Sequence, residues 1–286
     1  MIDLAQPIIN GLLLGGLYAV IALGLSTIFG IVRVVNLAHG DMVILGSYLS
    51  LAFCMWLGLN PLWTILLVAP IMFCVGFLIQ SVLFNRVLGK GMEPPLLMAF
   101  GISIIVQNFL LLVFTSDARA LKSDLSMMTI SLGEINISLL YLLNFLIGLA
   151  VILGLRQFFR KTFLGRAIRA ASDDVVAAKL VGANTSSIYA YAMGIAALTA
   201  AVAGVLVGMT FIFYPHTGPQ YLIIAFGVVI IGGLGSIKGT LVGGFILAMA
   251  QLLGAHFFGP GYQLLCGYMV LLIVLAIRPN GIFGKA

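Results

Sequence analysis

Residues 12–41 read LLLGGLYAVIALGLSTIFGIVRVVNLAHGD. From Leu12 to Ile31 the run is apolar and about as long as the ~20 residues a helix needs to cross a hydrocarbon core. Arg33, Asn36, His39, Gly40 and Asp41 then interrupt it, and hydrophobicity resumes at Met42. A polar cluster between two membrane-length runs is either a surface turn or part of a route through the bilayer. Residue types alone leave both readings open.

Working outward, the whole chain has the same character. It is 62% hydrophobic and only 8% charged, with a mean hydropathy of +1.22; a soluble chain carries about a quarter charged residues. The alternating pattern of a membrane barrel is absent. The expected class is therefore all-α, a polytopic transmembrane helical bundle of about eight or nine membrane segments. Candidate spans are about 8–30, 41–59, 62–84, 95–115, 138–157, 188–212, 240–258 and 262–278. A shorter ninth, about 221–236, is rich in glycine and either crosses or re-enters. The chain reads as one membrane domain over 1–286, carrying a loop at 158–187. The N-terminus, Met1-Ile2-Asp3-Leu4, lacks the basic region of a cleaved signal, so the first span is expected to be retained. Cys54, Cys74 and Cys266 lie in apolar segments without metal or disulfide spacing, and buried inert thiols are expected.

The net charge of +6 is not a nucleic-acid signal, because the basic residues form no single soluble face. Six of the 14 Lys and Arg fall between Arg156 and Lys179. Cytoplasmic loops collect such residues, so this loop, the Arg86–Lys90 loop and Arg33 are expected at the cytoplasmic face. The N-terminus and the mixed-charge segment 116–137, with Asp117, Arg119, Lys122, Asp124 and Glu134, are expected outside. Arg278 and Lys285 join the cytoplasmic side if the short segment crosses. The pairs Gly11/Gly15, Gly204/Gly208 and Gly239/Gly243 suggest close helix packing, with no partner assigned.

The basic loop contains one soluble-looking element. Ser172 reads as a helix cap, with Asp173 and Asp174 in the first turn. Val175, Val176, Ala177, Ala178, Leu180 and Val181 form the body, and Gly182 the stop. Gly165, Arg166 and Arg169 precede it. So short a helix is marginal in water; it either lies on its own bundle or docks on a cytoplasmic partner, transmitting that partner's motion.

Polar or glycine-rich breaks recur in both halves. Asn36, His39, Gly40 and Asp41 form the first; Tyr214–Pro219 and Gly232, Gly233 and Gly235 belong to the second. Paired interruptions of this kind point toward a transport site, since irregular backbone at membrane depth must line protein or a watery cavity. The alternative is a pair of ordinary turns, with Asp41 capping the second span. His216 and His256 fall near external span ends and read as interfacial. No phosphate loop, nucleophile elbow or zinc motif is present, so no catalytic residue, metal or cofactor is assigned to the chain. No Asp or Glu falls in the middle of a span, which argues against self-powered ion coupling and for energy supplied by another protein.

The segments Asn10-Gly11-Leu12, Gly15 through Leu25, Asn36 through Asp41 and Leu45-Gly46-Ser47-Tyr48 resemble the opening of LivH-type permeases. Those are membrane subunits of branched-chain amino-acid ABC importers. Gly232 through Gly239 and Arg278 through Gly284 resemble the family's later motifs. The resemblance implies an ATP-driven importer in the bacterial cytoplasmic (inner) membrane, moving a branched-chain or other amino acid inward. It implies a second permease subunit of LivM type and two cytoplasmic ATPase subunits that hold ATP and Mg. A periplasmic solute-binding protein completes the set. The region 165–184 matches the loop that contacts the ATPases, although Ala170-Ala171-Ser172-Asp173-Asp174 replaces the usual Glu-Ala-Ala form. Related permeases carry urea, short amides or aromatic compounds, so the solute stays open. A self-contained carrier or channel, and a scaffold subunit that carries nothing, are the rival readings.

Overall fold

A computed structural model describes residues 2–284 apart from Glu134 and Val181. Val181 at the end of the loop helix, Glu134 in the outer segment, and Met1 and Lys285 at the termini lie outside the described residues. The chain is an all-α polytopic bundle, and among the described residues eight helices are long and apolar enough to cross a membrane.

The helices are α1 (Ile2–Val32), α2 (His39–Leu57) and α3 (Pro61–Leu78), which runs through a π-helical stretch (Ile79–Phe84) into α4 (Asn85–Val87). Then come α5 (Glu93–Phe114), α6 (Leu139–Lys161), α7 (Phe163–Asp173) and α8 (Val175–Leu180). The last four are α9 (Thr185–Thr210), α10 (Gly218–Gly232), α11 (Ile237–Phe258) and α12 (Gln263–Ile277). Between α5 and α6 a small antiparallel hairpin forms, β1 (Thr129–Leu132) with β2 (Ile135–Ser138), pairing Thr129 with Ser138. The mixed composition of that segment did not announce it.

α1 and α9 make the centre, with about nine-tenths of their spans buried, whereas α12 buries almost nothing. Small residues explain the choice. On α9, Ala197, Ala200, Ala201, Ala203 and Gly204 are all buried, and small side chains let neighbouring backbones approach. The spaced glycines acquire partners: Gly11 and Gly15 of α1 lie against Met249 and Phe245 of α11. Gly204 meets Val43 and Ser47 of α2, and Gly243 meets Val228 of α10. The outer helices turn Leu66, Leu112 and Leu272 outward, as lipid-facing surfaces do. Cys74 is exposed on this outer surface and not buried as expected; the intermediate Cys54 and Cys266 are also free thiols.

The two ends of the bundle differ in charge. Arg33, the α6–α8 loop, Lys238 and Arg278 share one end: Ser172 Oγ donates to Gly30 O (2.5 Å), and Gly30 touches Gly235. Asn85, beside Arg86, joins the same end by donating to Ser186 O at the start of α9 (3.2 Å). Arg119 and Lys122 lie at the opposite end, where Arg119 and Phe213 exchange backbone bonds (3.0 and 2.9 Å). Gln6 donates to Asn136 O of β2 there (2.6 Å), which places the start of α1 at that end as well. The short segment α10 crosses. Phe211–Thr217 descends from the Arg119 end and α10 completes the passage, ending beside Gly239 at the Arg33 end. α12 then returns to the Arg33 end, where Ile282 N and Phe283 N donate to Ile231 O (2.9 Å) and Gly232 O (3.0 Å).

Candidate functional site

The first polar break does not stay at the surface. α1 ends at Val32, and Arg33 adopts φ 57°, reversing the chain. His39 Nε2–H then donates to Ile21 O at 2.8 Å. Ile21 lies eleven residues before Val32, about 16 Å back along a helix rising 1.5 Å per residue. The six residues 33–38 can span about 20 Å when extended, enough for that return. So α2 begins near the middle of α1's length, and His39, Gly40 and Asp41 are buried there. Arg33 alone remains at the basic end, as the charge pattern predicted.

The side chains of the break make the descent feasible. Asn36 Oδ1 accepts from Ala38 N (3.1 Å), closing a local turn. Its amide reaches only the sulfurs of Met42 and Met193, each at 3.8 Å, which are weak acceptors. α2 has no side-chain cap at Ala38, so Asp41 is not the cap expected of it. Asp41 instead accepts from Ser103 Oγ of α5 at 2.6 Å.

A chain of polar groups continues from there. Gln107 Nε2 donates to Ser103 Oγ (3.1 Å), and Gln107 Oε1 accepts from His216 Nδ1 (3.3 Å). A carbonyl oxygen can only accept, so His216 carries its proton on Nδ1 and every donor in the series points toward Asp41. Burial falls off along it: Asp41 is 1% and Ser103 7% exposed, Gln107 is half-buried and His216 exposed. Asp41 Oδ1 is buried without a hydrogen-bond partner. Asp41 lies in the first turn of α2 and not in the middle of a span, as expected, yet it is buried deep in the membrane domain. Asp41 stands at the edge of a span in sequence but at mid-depth in space, because the chain folds back before α2 starts.

α10 begins at the same place. A Cβ on Gly40 would collide with Gly218 O, and one on Gly218 would collide with the Asp41 carboxylate. Two helix N-termini therefore meet at one carboxylate. Ser103, Gln107 and the inward bond of His216 were missed in the sequence. The available signal was the i, i+4 spacing of Ser103 and Gln107, which puts two polar side chains on one face of an apolar helix.

Gly232, Gly233 and Gly235 are not part of this cluster. They lie at the far end of α10, about 21 Å along its 15 residues. There Gly233 (φ 102°) and Gly235 (φ 78°) form a tight hairpin into α11, and Gly232 faces Gly239. Beside the hairpin opens a cavity of about 790 Å³ lined by Arg33, Ser172, Asp173, Gly235, Asn280 and Phe283, among others.

The loop element differs from its reading in one respect. Ser172 is not a cap: it sits near the end of α7, which Thr162 caps by accepting from Gly165 N (2.9 Å). Asp174 is the cap of α8, accepting from Val176 N (2.8 Å) and Ala177 N (2.9 Å). Asp173 therefore ends α7 and does not open a helix. The expected cap pattern was real but began two residues later. Gly182, at φ 85°, does follow α8 as the stop. Arg166, Arg169, Asp173, Asp174, Ala177 and Leu180 face outward, with Phe163 and Val176 exposed beside them. Gly165 and Ala178 face inward, and a Cβ at Gly165 would strike Phe158 O; they shape the loop and present no outer surface.

Comparison with known proteins gives a family. Residues 7–276 match the family described as branched-chain amino acid transport system, permease component. The chain is 33% identical to the high-affinity branched-chain amino acid transport permease BraD of Pseudomonas aeruginosa, covering 98% of this chain and 95% of that protein. The high-affinity permease LivH of Escherichia coli is also 33% identical, with the same coverage. A probable branched-chain amino acid permease LivH of Methanocaldococcus jannaschii is 26% identical over 99% of this chain. No solved structure matches.

Proposed function

The chain belongs to the branched-chain amino acid transport permease family, and from that premise we propose that it is the permease subunit of an ATP-driven importer. It passes an amino acid inward across the bacterial cytoplasmic membrane, with the basic end in the cytoplasm. The observation that carries this reading is the pair of interrupted helices meeting at mid-depth, α2 at His39 and α10 at Gly218, from which polar groups lead to exposed His216. In membrane proteins such interruptions persist where they line a solute route. His216 at the outer end of that route is exposed, which suits a pathway shared with a second, LivM-type permease subunit. A solute-binding protein would deliver at the Arg119 end.

Energy enters at the other end. α7 and α8 present Phe163, Val176 and Leu180 to the outside, apolar surface suited to a groove on an ATPase subunit. Two such subunits would bind ATP and Mg. Movement of α7 has a direct route into the membrane domain, because Ser172 bonds the Gly30 carbonyl and Gly30 touches the Gly235 hairpin. That junction borders the Arg33 cavity, which serves as the cytoplasmic mouth.

A second reading, a self-contained carrier, is favoured by Asp41, since a mid-depth carboxylate is what ion coupling uses. Reconstitution in liposomes separates the two. The assembled complex is expected to accumulate solute only with ATP inside and the binding protein outside. Robust accumulation by this chain alone under a proton or sodium gradient would sink the ATP-driven reading. Replacing Asp173 and Asp174 together with Lys is expected to weaken copurification of the ATPases and to lower uptake.

A further inference from the structure

The Asp41 carboxylate occupies an unusual electrostatic position. α2 starts at His39 and α10 at Gly218, whose backbone lies against Asp41 Oδ1. Neither start is closed by a side chain, since Ala38 and Thr217 make no capping bond. In α10, however, Pro219 has no N–H and Gln220 N already donates to Thr217 O (3.1 Å), so the first turn of α2 is the more open of the two. A helix N-terminus presents free N–H groups and partial positive charge, and at membrane depth such ends seat anionic groups. Here the chain places its own carboxyl group, that of Asp41, at this point. One carboxylate oxygen takes the Ser103 hydroxyl; the other is buried with no partner. The junction therefore holds an anion seat and an unmatched acceptor, and the one thing it lacks is a cationic donor.

We infer that Asp41 receives the α-ammonium group of the transported amino acid when α2 and α10 part, while the solute's carboxylate turns to the uncapped first turn of α2. This rests on the transport reading above and narrows it, because the junction then selects a zwitterion. Urea or a short amide carries no charge for Asp41 to pair with. An aromatic carboxylate without an amine would meet repulsion from Asp41. Ser103, Gln107 and His216 are positioning residues, holding the carboxylate through the ordered donors behind it.

The test uses the full complex in proteoliposomes with its binding protein and radiolabelled L-leucine as probe. Asp41→Asn keeps the shape and removes the charge. Leucine moved per ATP hydrolysed is expected to fall about tenfold or more, the loss typical of a charge-assisted hydrogen bond. Asp41→Glu is expected to restore part of the ratio. A merely structural Asp41 would lower uptake and ATP hydrolysis together, leaving the ratio unchanged, and that result overturns the inference. An Asp41→Asn ratio within twofold of wild type does so too. If Asp41→Asn does not assemble, Ser103→Ala decides: a raised KM for leucine supports the assignment and an unchanged KM overturns it. A wild-type complex that accumulates urea or a short amide but no leucine removes this inference and leaves the transport reading standing. A wild-type complex that moves nothing removes both.

Discussion

The break at residues 33–41 and the glycine-rich break at 232–239 look alike as interruptions of apolar sequence, yet they lie at opposite depths. The first carries its chain to the level of Ile21; the second is a hairpin at the basic end, between α10 and α11. Side chains make the difference. Asn36, His39 and Asp41 each bring polar atoms that satisfy backbone or accept a hydroxyl away from water. Glycines bring none, so the carbonyls of Ile231 and Gly232 borrow donors from Ile282 and Phe283. Polar side chains allow an interruption to go deep, and glycine allows backbones to touch.

The comparison can be attacked at several strengths. The largest effect is expected at Gly40, where any side chain strikes the Gly218 carbonyl. Gly40→Ala should lower stability by about 3 kcal/mol, the upper end of the usual cost of overpacking because a backbone carbonyl is struck, read as a lower unfolding temperature of the purified protein. An unchanged temperature would mean that α2 and α10 do not meet as described. Next comes depth itself. In a background lacking Cys54, Cys74 and Cys266, a charged thiol reagent should leave His39→Cys unlabelled and modify Leu234→Cys, which is exposed. Equal labelling would erase the distinction between the two breaks. A smaller effect is expected from Ile282→Pro, which removes the donor to Ile231 O and costs about 2 kcal/mol for the buried acceptor left unpaired. It should increase labelling at Leu234→Cys without exposing His39→Cys. The smallest is Asp174→Ala, which deletes the α8 cap and costs about 1 kcal/mol. ATPase copurification should weaken while the unfolding temperature of the isolated subunit hardly moves.

Much of this was legible in the sequence, for identifiable reasons. Run length gave the eight long spans and the short ninth, because the bilayer sets a length that no soluble core imposes. The basic residues separated the two ends. Depth was illegible, since hydropathy marks Asp41 as the edge of a span and cannot see the fold-back through Arg33. Ser103 and Gln107 were hidden inside an apolar run, where their pairing with Asp41 depends on where α5 packs. The cap of α8 was misplaced because Ser172, Asp173 and Asp174 are all good caps, and only the Ser172 bond to Gly30 removes the first from contention.

The contact of Ile282 and Phe283 with α10 also has a consequence in time. The carbonyls of Ile231 and Gly232 receive donors from Ile282 and Phe283, which the ribosome makes only after α11 and α12. Until then the carbonyls of Ile231 and Gly232 at the end of α10 are without these donors. A nascent chain stalled between α12 and Ile282 should therefore carry the eight long spans while the carbonyls of Ile231 and Gly232 still wait for these donors, so that closure of this junction follows insertion of the bundle.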